Sequence, residues 1–297
     1  MKILLTSTIL FLIIFTSTIN AQNSWTWQEL SQMPEPVSNN AVASAVKDSV
    51  TYVYSFMGID STKLWSGIHL KAFRYNTQTT VWDTIADVPD NLTRIAPSAN
   101  TVNNKIYIIG GYHVYSNTNE VSSNKIFIYD PQSDSYSQGV NLPVAIDDQV
   151  QVVWRDSLIF IITGWSDAGN VSSVQIYNPA LDTIVQGTPV PNNNIYKAFG
   201  ASGAIIGDTI YYCGGVEDAT WKNVNFLRKG VINPVDPSDI TWTNPATNPG
   251  DKGYRMGAVV YGNTGFWIGG AGNSYNYDGI AYDSTGGVEP LDRIMAY

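Results

Sequence analysis

The side chains able to do chemistry recur at two kinds of place, just before and just after short apolar runs. Arg94, Asp147, Asp148, Lys197, Tyr254 and Arg255 precede such runs, while Tyr112, His113, Trp165, Asp167, Glu217 and Asp218 follow them. Asn39, Asn40, Asp60 and Asn273 occupy the same kinds of place. Gathered on one surface, these groups suit a sugar: its apolar faces stack on Trp or Tyr, its hydroxyls bridge charged groups, and an arginine grips a carboxylate in a fork. The bland reading is that soluble proteins carry such residues on any polar loop, and that Arg94 and Arg255 only tie neighbouring units together.

Other chemistries find little to work with. There are two histidines, His69 and His113, and one cysteine, Cys213, which lies inside an apolar strand and reads as core. No metal-ligand spacing occurs, and no cofactor is implied. Gly110-Gly111 and its copies end strands without opening a helix, and the stretch from Gly200 to Gly203 fails in the same way, so neither reads as a phosphate cradle. The 25 acidic residues outnumber the 16 basic ones, giving a net charge of -9 with no basic stripe. That sign excludes nucleic acid as the expected partner. A chain that is 44% hydrophobic, 12% aromatic and only 14% charged folds, and its glycines and tyrosines point to β-structure.

Residues 1–21 read as a signal peptide: Lys2, an apolar centre at residues 9–15, and small Ala21 before a cleavage point at Gln22. Export, to the periplasm or beyond the cell, is therefore expected, and no later stretch is apolar for long enough to span a bilayer. A single cysteine allows no intrachain disulfide, so stability must come from the core. Residues 22–297 are expected to form one domain and to act as a monomer.

The elements that would position these residues follow from a repeat. Apolar strands end at Gly58, Gly111, Gly164, Gly215 and Gly270, spaced by 53, 53, 51 and 55 residues. Each strand follows a polar turn pair, Lys47-Asp48, Asn103-Asn104, Arg155-Asp156, Gly207-Asp208 or Gly262-Asn263, of the kind that closes a β-hairpin. The partner strands before those turns are rich in Ala and Gly, as crowding at an axis demands, except that the third carries Gln149, Gln151 and Trp154. A third strand runs into Asp130-Pro131, Asn178-Pro179 or Asn233-Pro234, with counterparts at residues 73–76 and 281–283. Trp82, Tyr136, Ile184, Trp242 and Val288 mark a fourth. Units of four short strands cannot bury both faces alone, so they must pack face to face around an axis as an all-β propeller.

The strand-Gly-Gly step, the Tyr-Asp/Asn-Pro element and the following Trp, repeated over residues 25–291, resemble the kelch family. The resemblance implies a kelch-type β-propeller with five visible repeats of about 53 residues. Residues 25–30 are similar to the N-terminal strand that completes the last blade of such propellers, which implies closure at that point. Residues 292–297 resemble the starts of earlier first strands, so six blades are expected in the complete protein, with a truncated C-terminus. A closed five-bladed ring with a short extension is the alternative. Three readings remain: a glycan- or protein-binding module acting through its axial loop face, an enzyme similar to the family's sialic acid (N-acetylneuraminate) mutarotases, or an interaction scaffold using the outer edges of the blades. For the enzyme, Glu217 or Asp147 are the candidate acid and base, with Arg94 or Arg255 holding a carboxylate. The family's copper oxidases are excluded, because their metal needs two imidazoles, a tyrosine and a cysteine partner together.

Overall fold

Short polar residues that tolerate positive φ set the hairpins. Asp48 and Ser49 (φ 49° and 66°), Asn103 and Asn104 (48° and 61°) and Arg155 and Asp156 (53° and 48°) supply left-handed pairs that match the twist of antiparallel strands. The first turn thus falls on Asp48-Ser49, one residue later than the sequence suggests.

The computed structural model describes residues 28–297, apart from Pro249, Asp251, Ser284 and Thr285. Blade one consists of β1 (Ala41–Lys47), β2 (Val50–Ile59), β3 (Ile68–Asn76) and β4 (Val81–Ile85), paired in chain order. Blade two has β5 (Ser98–Val102) and β6 (Lys105–Ile109), then a small ribbon of β7 (Tyr112–Val114) and β8 (Glu120–Ser122), then β9 (Ile126–Asp130) and β10 (Ser135–Gln138). Blade three repeats this with β11 (Val150–Trp154), β12 (Leu158–Ile162), the ribbon β13 (Trp165–Ser166) and β14 (Gly169–Asn170), β15 (Val174–Asn178) and β16 (Thr183–Gln186). Blade four is β17 (Phe199–Ile206), β18 (Thr209–Val216), β19 (Phe226–Ile232) and β20 (Ile240–Thr247). Blade five has three strands among the described residues, β21 (Gly257–Tyr261), β22 (Thr264–Ile268) and β23 (Ile294–Ala296). The inner strands β1, β5, β11, β17 and β21 neighbour one another in turn, which makes the architecture a five-blade propeller.

Apolar side chains between blades hold it together. Tyr54 and Phe56 of blade one meet Ile108 and Tyr129 of blade two. Tyr107 and Ile109 meet Ile161 and Tyr177 of blade three, whose Val152 and Phe160 meet Ile210 and Tyr212 of blade four. Cys213 and Leu227 meet Trp267 and Met295 of blade five. Each fully buried Ile or Phe contributes about 1.5–3 kcal/mol relative to exposure, so these seams dominate stability. The double glycines let the next blade approach: a Cβ on Gly110 would collide with the Ile146 carbonyl, and one on Gly214 with that of Gly253.

A second device runs around the axis. Asn39, Ala96, Asp148, Gly200 and Arg255 all have φ between 48° and 65°. Each of the last four donates its N–H to the carbonyl of the one before, at 2.8, 3.3, 2.7 and 2.8 Å in chain order. This belt of backbone bonds stitches each blade to its predecessor at the point where the inner strand begins.

Three expectations require correction or fall outside the described residues. The third strand of blade five is β23, where Met295 pairs with Trp267, and not residues 281–283. Residues 292–297 therefore complete an existing sheet instead of opening another repeat. The cause is an excursion over residues 269–293 that leaves β22 and packs Tyr277 against Ile59, Ile95 and Tyr112 before returning. Trp25, Trp27 and the signal segment lie outside the described residues. Gln28–Leu30 form no strand, and Ser31 accepts a 3.0 Å bond from the Trp82 indole of β4, on blade one.

Candidate functional site

The connections that leave the second strand of each blade gather on one face with the segments that lead into the inner strands. Isolated bridges lock the two sets together: Ser38 with Ile59, Ile95 with Tyr112, Asp147 with Trp165, and Tyr254 with Ala271. Two concavities lie here. The axial cavity, about 520 Å³, is lined by small and amide residues of the inner strands, including Asn39, Asn100, Gln149, Gln151 and Ser202. Gln149, a residue the small-residue pattern does not explain, faces it and donates to the Ile109 carbonyl at 3.0 Å, while Trp154 joins the seam between blades three and four. Beside it is a recess of about 50 Å³ lined by Tyr112, Glu120, Asp147, Asp148, Trp165, Phe199, Trp221 and Tyr282.

Asp148 lines both concavities, and its partner Arg255 lines the axial cavity. Arg255 donates to both Asp148 carboxylate oxygens, at 2.7 and 2.6 Å, and to Asn39 Oδ1 at 3.0 Å, so one guanidinium ties blades five, three and one. Its charge is further raised in basicity against burial by Asp148. Tyr254 and Tyr275 cover it with rings 4.8 and 5.1 Å from the guanidinium carbon.

The recess itself is aromatic. Trp165 and Trp221 have centroids 5.1 Å apart, Trp221 and Tyr282 4.8 Å, and Phe199 meets Trp165 edge-on at 5.5 Å. Asp147 is buried and accepts the Ser122 hydroxyl at 2.6 Å. Burial, reinforced by the adjacent Asp148, raises its carboxyl well above the ordinary range. Desolvation also raises Glu120, which lines the recess although the residue as a whole is exposed. The Tyr112 hydroxyl is buried there without a hydrogen-bond partner. Among the described residues, neither a lysine nor an arginine lines the recess.

The other candidates are placed differently. Arg94 is buried in blade two, paired with Asp90 at 2.8 Å and bonded to the Gly110 carbonyl and Ser123, with burial lowering its pKa to about 10. It is a clamp inside the sheet and does not line either concavity. Arg228, which the sequence pattern does not single out, does the same work for the Gly214 and Ile195 carbonyls of blade four. His113 bonds the Thr93 carbonyl and stands edge-on to Tyr115. Asp167 accepts the Ser122 N–H at 2.8 Å, and Asp218 the Asn170 N–H at 2.8 Å, each tying one loop to that of the preceding blade. Glu217 accepts from Asn194 Nδ2 and the Ala219 and Thr220 N–H groups. Burial pushes the Glu217 carboxyl up, but these donors and the Thr220 hydroxyl outweigh it and hold it low. Lys197 is half-buried at the start of blade four and lines neither concavity.

So the structure brings Tyr112, Asp147, Asp148 and Trp165 together, adds Glu120, Phe199, Trp221 and Tyr282, and uses Arg94, Asp167, Glu217 and Asp218 as ties. Glu120 and Trp221 sit in the same second-strand connections as the predicted residues, and that position was the signal available for them. No cluster of metal-ligating side chains occurs among the described residues. Cys213 is buried, with its thiol pushed up to about 12 by desolvation.

The Kelch motif family model matches residues 93–143. Among curated proteins, the chain is 27% identical to the human "Kelch repeat and BTB domain-containing protein 12" over 189 residues, which is 59% of this chain and 29% of that one. It is 24% identical to "Kelch-like protein terF" of Aspergillus terreus (strain NIH 2624 / FGSC A1156) over 245 residues, 80% of this chain and 50% of the relative. It thus spans half or less of the length of these relatives. The solved "Structure of YjhT" superposes with a TM-score of 0.65 at 15% identity, over 88% of this chain and 80% of that one, a likeness of fold.

Proposed function

This chain belongs to the kelch-repeat β-propeller family, and from that premise we propose that it is a binding module whose ligand is a protein held on the axial loop face. The observation that carries the reading is the recess, in which side chains from three blades and the residue 269–293 excursion make an aromatic surface edged with carboxyls. Trp221 is 36% exposed at its mouth, enough ring to meet a partner. Large aromatics with part of a face free, backed by a rigid scaffold, are the anchors that protein interfaces favour. At about 50 Å³ the recess admits a side-chain head and not a pyranose ring.

A glycan reading is favoured by a different feature, the axial cavity of about 520 Å³, where Asn100 Oδ1, Gln149 Oε1 and Gln151 Nε2 are buried without partners. A mutarotase-type activity needs an arginine free to hold a carboxylate, and Arg94 and Arg255 are occupied by Asp90 and Asp148. Peptide and glycan arrays read with the parent, Trp221→Ala and Gln149→Ala separate the readings. Peptide binding lost in Trp221→Ala supports the proposal, whereas glycan binding lost only in Gln149→Ala replaces it. We propose export as well, on the signal-like residues 1–21. An N-terminal sequence other than Gln22 in material from an exporting host would count against it.

A further inference from the structure

Resting on the reading that the loop face is where a protein ligand docks, we propose that the recess between Trp165, Trp221 and Tyr282 receives an aliphatic ammonium, the head of a lysine side chain. The π-faces of Trp and Tyr carry negative electrostatic potential, and a cation within about 6 Å of them is attracted, more strongly as water is excluded. Trp165, Trp221 and Tyr282 stack in turn with centroids 5.1 and 4.8 Å apart over Phe199, so a cation meets the ring surface left open at the mouth, where Trp221 is 36% exposed.

The polar part of the lining has the matching sign. Asp148 is engaged by Arg255 and Asp147 by the Ser122 hydroxyl, which leaves the Glu120 carboxyl, beside Asn276, as the acidic group that faces an incoming cation. An anion would therefore meet carboxyls and no donor cation. The Tyr112 hydroxyl, 4% exposed as a residue and without a partner, adds an oxygen able to accept an N–H. A buried hydroxyl without a partner is unfavourable, so an incoming N–H donor that pairs it gains a hydrogen bond. Size selects further. A water needs about 10–15 Å³ of such volume, so about 50 Å³ takes roughly four atoms: an ammonium with its last carbons, bare or methylated, and no sugar ring. Trp221 holds φ 61°, a left-handed backbone that a bulky residue rarely adopts, and the Ser274 hydroxyl bonds its carbonyl, fixing the ring at the mouth.

The probe is butylammonium, the lysine head and stem without a peptide, with 1-butanol as its neutral counterpart. Indole N–H resonances of Trp165 and Trp221, assigned with Trp165→Phe and Trp221→Phe, report occupancy in the whole chain. Butylammonium is expected to shift both indoles saturably in the millimolar range, with 1-butanol about tenfold weaker and Glu120→Gln about threefold weaker for the cation alone. Equal response to the two probes, or an unchanged midpoint in Glu120→Gln, overturns the assignment. A peptide that binds and is lost in Trp221→Ala, while butylammonium leaves the indoles unmoved, overturns the ammonium pocket and leaves the docking face standing. Indole shifts with butylammonium, with no peptide or protein ligand sensitive to Trp221→Ala, keep the pocket and remove the docking role.

Discussion

Arg255→Met tests whether the belt around the axis depends on one ion pair. The guanidinium and the Asp148 carboxylate are 10% and 6% exposed, joined by two bonds, with a third to Asn39. Removing the arginine strands a buried carboxylate, a change that is unfavourable by about 3–5 kcal/mol where a single partner is lost. Methionine keeps most of the stem volume and meets the same left-handed backbone, so the φ of 52° contributes little to the difference. For a domain of this size 1 kcal/mol moves the midpoint by about 2–4 °C, which puts the expected loss at roughly 6–20 °C. Asp148→Asn suits the mirror experiment because asparagine tolerates positive φ, and it leaves a buried guanidinium instead. Each single variant should be worse than the pair's absence requires, so the double variant should lose clearly less than the sum of the two, by about 2–3 kcal/mol. Thermal unfolding followed by near-ultraviolet circular dichroism and by calorimetry reads all four proteins. A single variant within about 1 kcal/mol of the parent, or strict additivity in the cycle, would show that the pair is not what joins blades five, three and one.

Asp147 has a folded pKa raised by burial, above the ordinary 3.8, so the fold retains a proton that the open chain has released. Its stability contribution is whole below that ordinary value and declines as pH rises toward the raised one; Asp147→Asn should therefore lose less stability than the parent between about pH 4 and neutrality. Parallel slopes for the two proteins in calorimetry would refute this, since Glu120, raised in the same sense, is common to both. Cys213, buried and pushed up to about 12, should resist a thiol reagent in the native state and react on unfolding; rapid native labelling would mean that the seam between blades four and five opens. N-acetylneuraminate should exchange anomers at the uncatalysed rate in the presence of the protein, measured by NMR, because both arginines available to hold its carboxylate are paired; acceleration abolished by Arg255→Met would reinstate the enzyme reading.

The repeat was legible because its marks are backbone requirements. Gly110, Gly111, Gly214 and Gly215 have φ between 66° and 85°, a region open to few other residues; the next blade leaves no room for a Cβ on Gly110 or Gly214, and the inner-strand segment of the same blade leaves none on Gly111 or Gly215. The place of Asp147 and Trp165 on the loop face was legible for a related reason, since position in a blade decides the face on which a loop emerges. Which loop residues reach the recess was not legible. Asp167 is a carboxylate in the same kind of connection as the lining Glu120, and Arg94 stands before an inner strand as Asp147 does, yet the partners that claim them, Ser122 and Asp90, are ordinary polar residues with no pattern of their own. The third strand was misplaced because residues 281–283 carry the Tyr-Asp mark but pair only by an isolated bridge of Ala281 with Tyr275, whereas Ile294–Ala296 carry none and pair fully with β22. Local signals cannot rank two candidate strands when a long excursion separates one of them from its partner.

The carboxylates that turned out not to line the recess explain how it keeps its shape. Asp167 of blade three accepts a backbone N–H from the ribbon of blade two, and Asp218 of blade four does the same for the ribbon of blade three. The Ser274 hydroxyl of blade five reaches the Trp221 carbonyl of blade four in the same direction around the ring. The rings themselves lie in contact, with centroids 4.8–5.1 Å apart, so the loops that carry them set how much of each face stays open at the mouth. Tying each loop to its neighbour by a charge-assisted or hydroxyl bond fixes their spacing before any ligand arrives, so ordering them is not charged against binding. Asp167→Asn and Asp218→Asn should on that account weaken occupancy of the recess without touching its lining, most through dissociation, and a variant pair that binds as the parent does would mean the rings hold their spacing unaided.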